Sequence, residues 1–253
     1  MTGDEKLKLN HINTSHRPFP LPKVPWILQQ TWDDVLFLHW PVSEAILRDH
    51  IPAQLDLDRY EGTAWVSLVL FEVNGMRPRA LPPIPFVHSF LELNVRTYVT
   101  YKGKPGIYFF SLDANSRLAV RMARIGYSLP YHLAKIELKR KTGKIEFSSS
   151  RIHKNKPKES LQTIYRPTAE GYFAKKGTLD YWLTERYCLW TQKGRRLFRT
   201  DILHEKWKLQ KAEVEIQKNS MAHFLPASSL SSDPVIHYSP SKRVLFWPPL
   251  PED

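Results

Sequence analysis

Apolar residues in this chain fall in short runs divided by prolines, glycines and charged clusters. Val35–Trp40, Thr63–Val73 and Val87–Tyr101 are dense in Val, Leu, Phe and aromatic residues, the composition of strands. The third run alternates. Leu91, Leu93, Val95 and Val99 share one face, while Phe90, Glu92, Asn94, Arg96 and Tyr98 share the other. Lys102–Gly106 predicts a turn and Ile107–Leu112 its hairpin partner. His132–Lys141 and Lys144–Ile152 predict a second hairpin across Thr142-Gly143. Arg196–Trp207, Leu209–Ile216, Val235–Tyr238 and Arg243–Trp247 read as further strands.

Three segments carry helical signals. Ser43 is placed to cap a short helix over Ala45–Leu47 that Pro52 ends. Asn115 or Ser116 caps a helix through Ile125, with Gly126 as its stop. Its Leu118, Ala119, Met122 and Ile125 lie on one face and Arg117, Arg121 and Arg124 on another. Thr178 caps a helix through Trp190 whose buried side holds Leu179, Trp182, Leu183, Tyr187 and Trp190. The Pro-rich connection Arg77–Pro85 must run extended. Strands outnumber helices about three to one, so the fold class is α+β and strand-dominated, a closed or nearly closed sheet with a few flanking helices.

Composition narrows the setting. The length of 253 residues fits one large domain. We expect an N-terminal arm over residues 1–25, rich in proline after Pro18, and a single β-barrel domain over 26–253. Twenty prolines against ten glycines favour rigid turns over the Gly-rich loops of nucleotide folds. A single cysteine, Cys188, excludes an intramolecular disulfide and a Cys-rich zinc site. The polar start has no leader-like apolar segment, and the longest apolar stretch, Ala64–Phe71, is interrupted by Ser67. It falls far short of the ~20 residues that span a bilayer. No membrane partner is expected, and a reducing cytoplasm is the expected location.

The net charge of +12 is concentrated. Lys135–Lys158 holds nine Lys/Arg and two acids, +7 of the total. Such a segment could meet phosphates, but Phe147 is its only aromatic residue, so a base-stacking platform is not supported. A solvated hairpin followed by a lysine-rich loop is the plainer reading.

No dinucleotide, phosphate-loop, nucleophile-elbow or zinc-protease motif is present, and the ten histidines show no helical ligand spacing. No metal and no cofactor is expected. Cys188, placed on the Thr178 helix, reads as a buried inert thiol. The chemistry concentrates on the polar face of Val87–Tyr101. That face is either the wet side of a half-buried strand or the lining of an internal cavity. Phe90 and Tyr98 are odd choices for a wetted face and favour the cavity. Glu92 and Arg96 are ~13 Å apart along the strand, too far to pair but able to share one lumen. Tyr131 and His132, after Pro130, could hold proton donors at the mouth. Arg186 within Thr184–Tyr187, His204 within Asp201–Trp207, and His39 before Trp40 are further candidates to line a ligand site.

Leu36–Val42, Phe90–Val99, Phe109–Ala114, Leu129–Tyr131, Leu183–Tyr187 and His204 resemble the YqjF-like family of uncharacterised bacterial proteins over about residues 26 to 248. That family in turn resembles acetoacetate decarboxylase. Leu47–Asp58 is similar to that enzyme's helix-to-strand run, and Leu112-Asp113 to a Leu-Asp before its helix. Glu92 falls on a pocket glutamate, and Leu129–His132 on an aromatic-Pro-Lys-Lys motif. The resemblance implies an acetoacetate decarboxylase-like β-barrel with a polar cavity. It also puts Tyr131 where that enzyme has its Schiff-base lysine, His132 on the neighbouring lysine, Ser67 roughly on a second glutamate and Asp33 roughly on an arginine. Imine chemistry needs an amine, which Tyr131 does not offer.

The residues and the resemblance together imply a polar pocket for a small organic acid. Glu92, Tyr131 and His132 would be proton-transfer groups. Arg96, Asn94, Tyr98, Phe90, His39, Arg186 and His204 would form the binding set. The alternatives are a non-catalytic binding or sensing module using the same cavity and, behind it, nucleic-acid binding through residues 135–158. Self-association is left open.

Overall fold

The computed structural model describes residues 14–85 and 87–252. In chain order the elements are β1 (Leu28–Val42), α1 (Glu44–Arg48), β2 (Asp56–Leu57), β3 (Ala64–Pro78), β4 (Phe90–Tyr101) and β5 (Lys104–Ala114). Then come α2 (Arg117–Gly126), β6 (Tyr131–Lys141), β7 (Lys144–Arg151), β8 (Ser160–Pro167), β9 (Tyr172–Phe173) and α3 (Leu179–Thr184). The chain closes with β10 (Cys188–Lys193), β11 (Arg196–Leu203), β12 (Lys208–Leu209), β13 (Ala212–Asn219), a 3-10 turn at Ala227–Leu230, β14 (Val235–Phe246) and β15 (Leu250–Glu252). The fold is strand-dominated α+β.

Seven strands hydrogen-bond in a ring, in the order β1, β3, β4, β5, β10, β11, β14 and back to β1. One edge of β5 is shared. Ile107 and Tyr108 pair with β10, and Leu112–Ala114 pair with β6, both in parallel. From β6 an antiparallel sheet continues through β7, β8 and β13.

Strand alternation divides the apolar residues between two cores. Leu36, Leu38, Val66, Leu68, Leu93, Val95 and Val99 meet one cluster, and Val35, Phe37, Val69, Phe71, Phe90 and Tyr98 meet the other. Strands buried on both faces read as continuous apolar runs, and that is the sequence character of β1 from Val35 and of β3, whereas β4 alternates. A register shift between β4 and β5 at Val95/Arg96 rephases β5, so Phe109 and Leu112 both join the second cluster despite a spacing of three. Lys102 and Gly103 make the hairpin turn with φ of 48° and 74°, the paired positive values of a two-residue turn.

Several boundaries differ from the sequence expectation. The Thr178 helix ends at Thr184, and Cys188 and Trp190 lie on β10 instead. Tyr187 through Thr191 is buried without a break, a pattern shared by helices and two-sided strands; pairing with β11 and β5 decides for the strand. Strand β8 was not expected, because it follows a lysine-rich loop; Leu161, Thr163 and Tyr165 nevertheless alternate inward. Val235–Tyr238 and Arg243–Trp247 are parts of one strand. Pro240 sits within it opposite a bulge at Asp34, whose φ is 52°. The expected strand Leu209–Ile216 is split into β12 and β13, and Arg196–Trp207 stops at Leu203. Ser43 stands at the start of α1 without a side-chain cap bond, whereas Ser116 and Thr178 do cap their helices. On α2, Ala119 and Val120 are the buried residues, while Leu118, Met122 and Ile125 expose 45, 44 and 72% of their surface. The expected apolar face of that helix is therefore turned largely outward.

Residues 1–13 of the expected arm lie outside the described residues. Beyond them Arg17 is buried, paired with Asp201 at 2.8 Å and donating to the Ile202 carbonyl. No helix of the described residues is long and apolar enough to cross a membrane.

Close packing of β5 on β10 gives a stability test. A Cβ on Gly106 would stand 2.7 Å from Cys188 Sγ and from Trp190 Nε1. Gly106→Ala is expected to destabilise the protein by roughly 1–3 kcal/mol. Thermal unfolding would show a Tm drop of ~2–4 °C per kcal/mol, and an unchanged Tm would contradict the tight strand contact.

Candidate functional site

The inner face of the ring lines a cavity of about 330 Å³. Strand β4 supplies its polar stripe. Phe90, Glu92, Asn94 and Arg96 all line it, as alternation on one strand requires. On either side the neighbouring strands are apolar except at Ser67. Phe71 and Ala114 pair with Glu92, Val69 and Leu112 with Asn94, and Ser67 and Phe109 with Arg96.

Glu92 is 5% exposed and accepts two hydrogen bonds. The Tyr131 hydroxyl donates at 2.6 Å and the Asn94 amide at 3.3 Å. Burial pushes the Glu92 carboxyl up to about 7, against the opposing pull of these two donors. Tyr131 lies well above its ordinary value, through burial first and the Glu92 carboxylate second. It reaches the cavity because β6 starts alongside the end of β5, with Tyr131 paired to the inward-facing Leu112.

Arg96 is held differently. No ion pair among the described residues engages it. Its guanidinium lies 5.5 Å from the Phe37 ring and 5.9 Å from the Tyr98 ring. Its Nε and Nη2 are buried with no acceptor. Burial lowers its pKa from the ordinary arginine value. Arg186 packs on the same Tyr98 at 4.9 Å and on Trp182 at 4.4 Å, and pairs with Asp58 at 2.5 Å. Its Nη2 is likewise buried and unpartnered. Both guanidinium groups line the cavity.

The remaining candidates divide. His204 lines the cavity, but its two ring nitrogens face the Glu205 and Arg186 carbonyls at 2.8 and 3.2 Å. Burial takes its pKa down to about 3, against the two carbonyl contacts, which favour the protonated ring. Tyr98 and His39 stand behind the wall. The Ser67 hydroxyl bridges them at 2.7 and 2.6 Å, and the Tyr98 hydroxyl reaches His39 Nδ1 at 3.0 Å. Burial holds His39 well below the ordinary imidazole value.

His132 is a correction. Adjacent strand residues point to opposite faces, so with Tyr131 inward, His132 faces away from the cavity. It stacks edge-on with His153 at 5.3 Å. Burial, reinforced by Arg151, takes its pKa down to about 3. Asp33, where the resemblance implied a pocket position, binds Asn74 and Ser241 outside the cavity. Cys188 is buried with its thiol pushed up to about 12, chiefly by burial. Sequence reasoning missed Asp58, the partner of Arg186; 128 positions separate them and no local signal links them. Phe109 was within reach of the alternation argument but for the shift in β5. In the basic segment, Lys135 and Lys139 flank Glu137, and Lys141 pairs with Glu146, all largely exposed.

Solved structures of similar architecture place the fold in a class. An enduracididine biosynthesis enzyme, MppR, complexed with pyruvate superposes with a TM-score of 0.62, 10% identity and coverage of 90% of this chain and 91% of that one. An acetoacetate decarboxylase-like enzyme from Sphingomonas wittichii RW1 gives 0.60 at 12% identity, covering 94% and 98%. The fold is acetoacetate decarboxylase-like. By sequence, the chain belongs to DUF2071, a family of uncharacterized conserved proteins whose model matches residues 29–243. It is 48% identical over 228 residues to the uncharacterized protein YqjF of Bacillus subtilis (strain 168), which covers 90% of this chain and 93% of that protein.

Glu92 makes a signed prediction. Its folded pKa of about 7 exceeds the ordinary 4.5, so the folded state binds more protons between these values. Stability from this group is present at low pH and is lost as pH rises through about 7. The loss amounts to about 3 kcal/mol for a wholly buried carboxyl. Urea unfolding at pH 5 and pH 8 should show Glu92→Gln with a smaller decline than the wild type; parallel declines would contradict the raised carboxyl.

Proposed function

We propose that the cavity binds a small organic anion and that Glu92, hydrogen-bonded to Tyr131, moves a proton on it. The observation that carries this reading is one cavity lined by a neutralisable carboxyl and two guanidinium groups with unused donors. A carboxyl with a pKa of about 7 exchanges its proton near neutral pH, where general acid–base catalysis is most effective. Tyr131 donates to the carboxyl and orients it, and burial keeps its own hydroxyl protonated. Arg96 and Arg186 offer N–H groups to the anion.

The pyruvate on the structural neighbour MppR and the acetoacetate decarboxylase-like fold support an organic acid as ligand. The Schiff-base route of acetoacetate decarboxylase does not transfer, because among the described residues no lysine lines the cavity. His132 has no part in this reading, since it faces the opposite side of β6.

A thermal-shift screen of organic acids tests binding, since a ligand of the folded state raises Tm. Ligands found this way should lose their shift in Arg96→Ala. On any acid that turns over, Glu92→Gln should lower kcat by roughly 10²–10⁴-fold, and the wild-type kcat/KM should inflect near the pKa of Glu92. A folded Glu92→Gln with unchanged turnover would remove Glu92 from the reaction. Binding without turnover of any screened acid would identify a carrier or sensor.

A further inference from the structure

The polar groups of the cavity form a narrow stripe, Glu92, Asn94 and Arg96 in turn along β4. Glu92 and Arg96 are four residues apart, ~13 Å between Cα atoms. Asn94 lies between them, and beside this stripe the cavity wall is apolar, with Phe71 at the level of Glu92, Val69 and Leu112 at Asn94, and Phe109 at Arg96. The volume of about 330 Å³ is far more than a small keto acid occupies.

Charge fixes the other end. Arg186 is already neutralised by Asp58, whereas Arg96 has no carboxylate partner among the described residues. One positive charge is left over, together with three buried donors, Arg96 Nε and Nη2 and Arg186 Nη2, that lack acceptors. One carboxylate has the two oxygens and the single charge that these groups require. A dianion would bring one charge too many into a low-dielectric space.

We propose that the ligand is a monocarboxylate with an extended apolar body, its head at Arg96 and Arg186 and its aliphatic or aryl chain lying along the β3 and β5 walls toward Glu92. This deepens the reading of the cavity as an organic-acid site and rests on it.

Calorimetric titration of the wild type at pH 6 with butanoate, hexanoate, octanoate, octan-1-ol, octanedioate and pyruvate is the test. From butanoate to octanoate the affinity should tighten roughly fourfold per methylene buried. Octan-1-ol and octanedioate should bind roughly tenfold or more weakly than octanoate, and Arg96→Met should erase the difference between octanoate and octan-1-ol. Pyruvate binding as tightly as octanoate would overturn the apolar body while leaving an organic-acid site standing. Octan-1-ol or octanedioate matching octanoate would overturn the single-carboxylate head. If no carboxylate binds at all, the proposal and the organic-acid reading fall together.

Discussion

The guanidinium of Arg96, buried in the ring and meeting no carboxylate among the described residues, is the demanding feature of this structure. Desolvating such a charge costs several kcal/mol unless neighbours compensate. Around Arg96 the compensation comes from the faces of Phe37 and Tyr98. Tyr98 is fixed from below by Ser67 and His39. Its ring also supports Arg186, whose charge Asp58 balances. The two cations are thus set about one aromatic plate, yet three of their nitrogens have no acceptor. That residual demand gives the cavity its polarity and its sign.

The same enclosure acts on Glu92 in the opposite sense. Low-dielectric surroundings that burden Arg96 push the carboxyl up to about 7. Tyr131 meets it from a strand that is not β4's neighbour, so the contact depends on how β5 is shared. Had β6 begun one residue earlier or later against β5, His132 or Pro130 would have faced inward instead. A single register in a parallel pairing therefore decides which side chain stands beside the carboxyl. The shift at Val95/Arg96 has a comparable effect on β5, keeping Phe109 and Leu112 both on the cavity side.

Likeness to acetoacetate decarboxylase-like enzymes extends over nearly the whole fold, at 10–13% identity in the structures compared. A closed ring tolerates such divergence because its architecture asks only for alternating residues of suitable size. Its chemistry depends on a few inward positions and can change while the frame persists. Tyr131 illustrates this. The position that the resemblance assigns to an amine carries a phenol here, and the group it touches is a carboxyl.

Much of this was legible in the residues alone. The alternation in Phe90–Tyr98 specifies two faces, so Phe90, Glu92, Asn94 and Arg96 had to point together, and the hairpin at Lys102-Gly103 follows from turn chemistry. These are local properties, set by the two-residue period of a strand and by backbone sterics. Other features came only with tertiary structure. Whether the polar face met water or a cavity depended on ring closure between strands far apart in sequence. The inward choice of Tyr131 over His132 depended on pairing to β5, and Cys188–Trp190 became strand and not helix because β5 and β11 offered hydrogen bonds on both sides. Asp58 met Arg186 through the same long-range assembly. A chain encodes which of its residues share a side, but which side becomes the interior is decided by partners that no local pattern names.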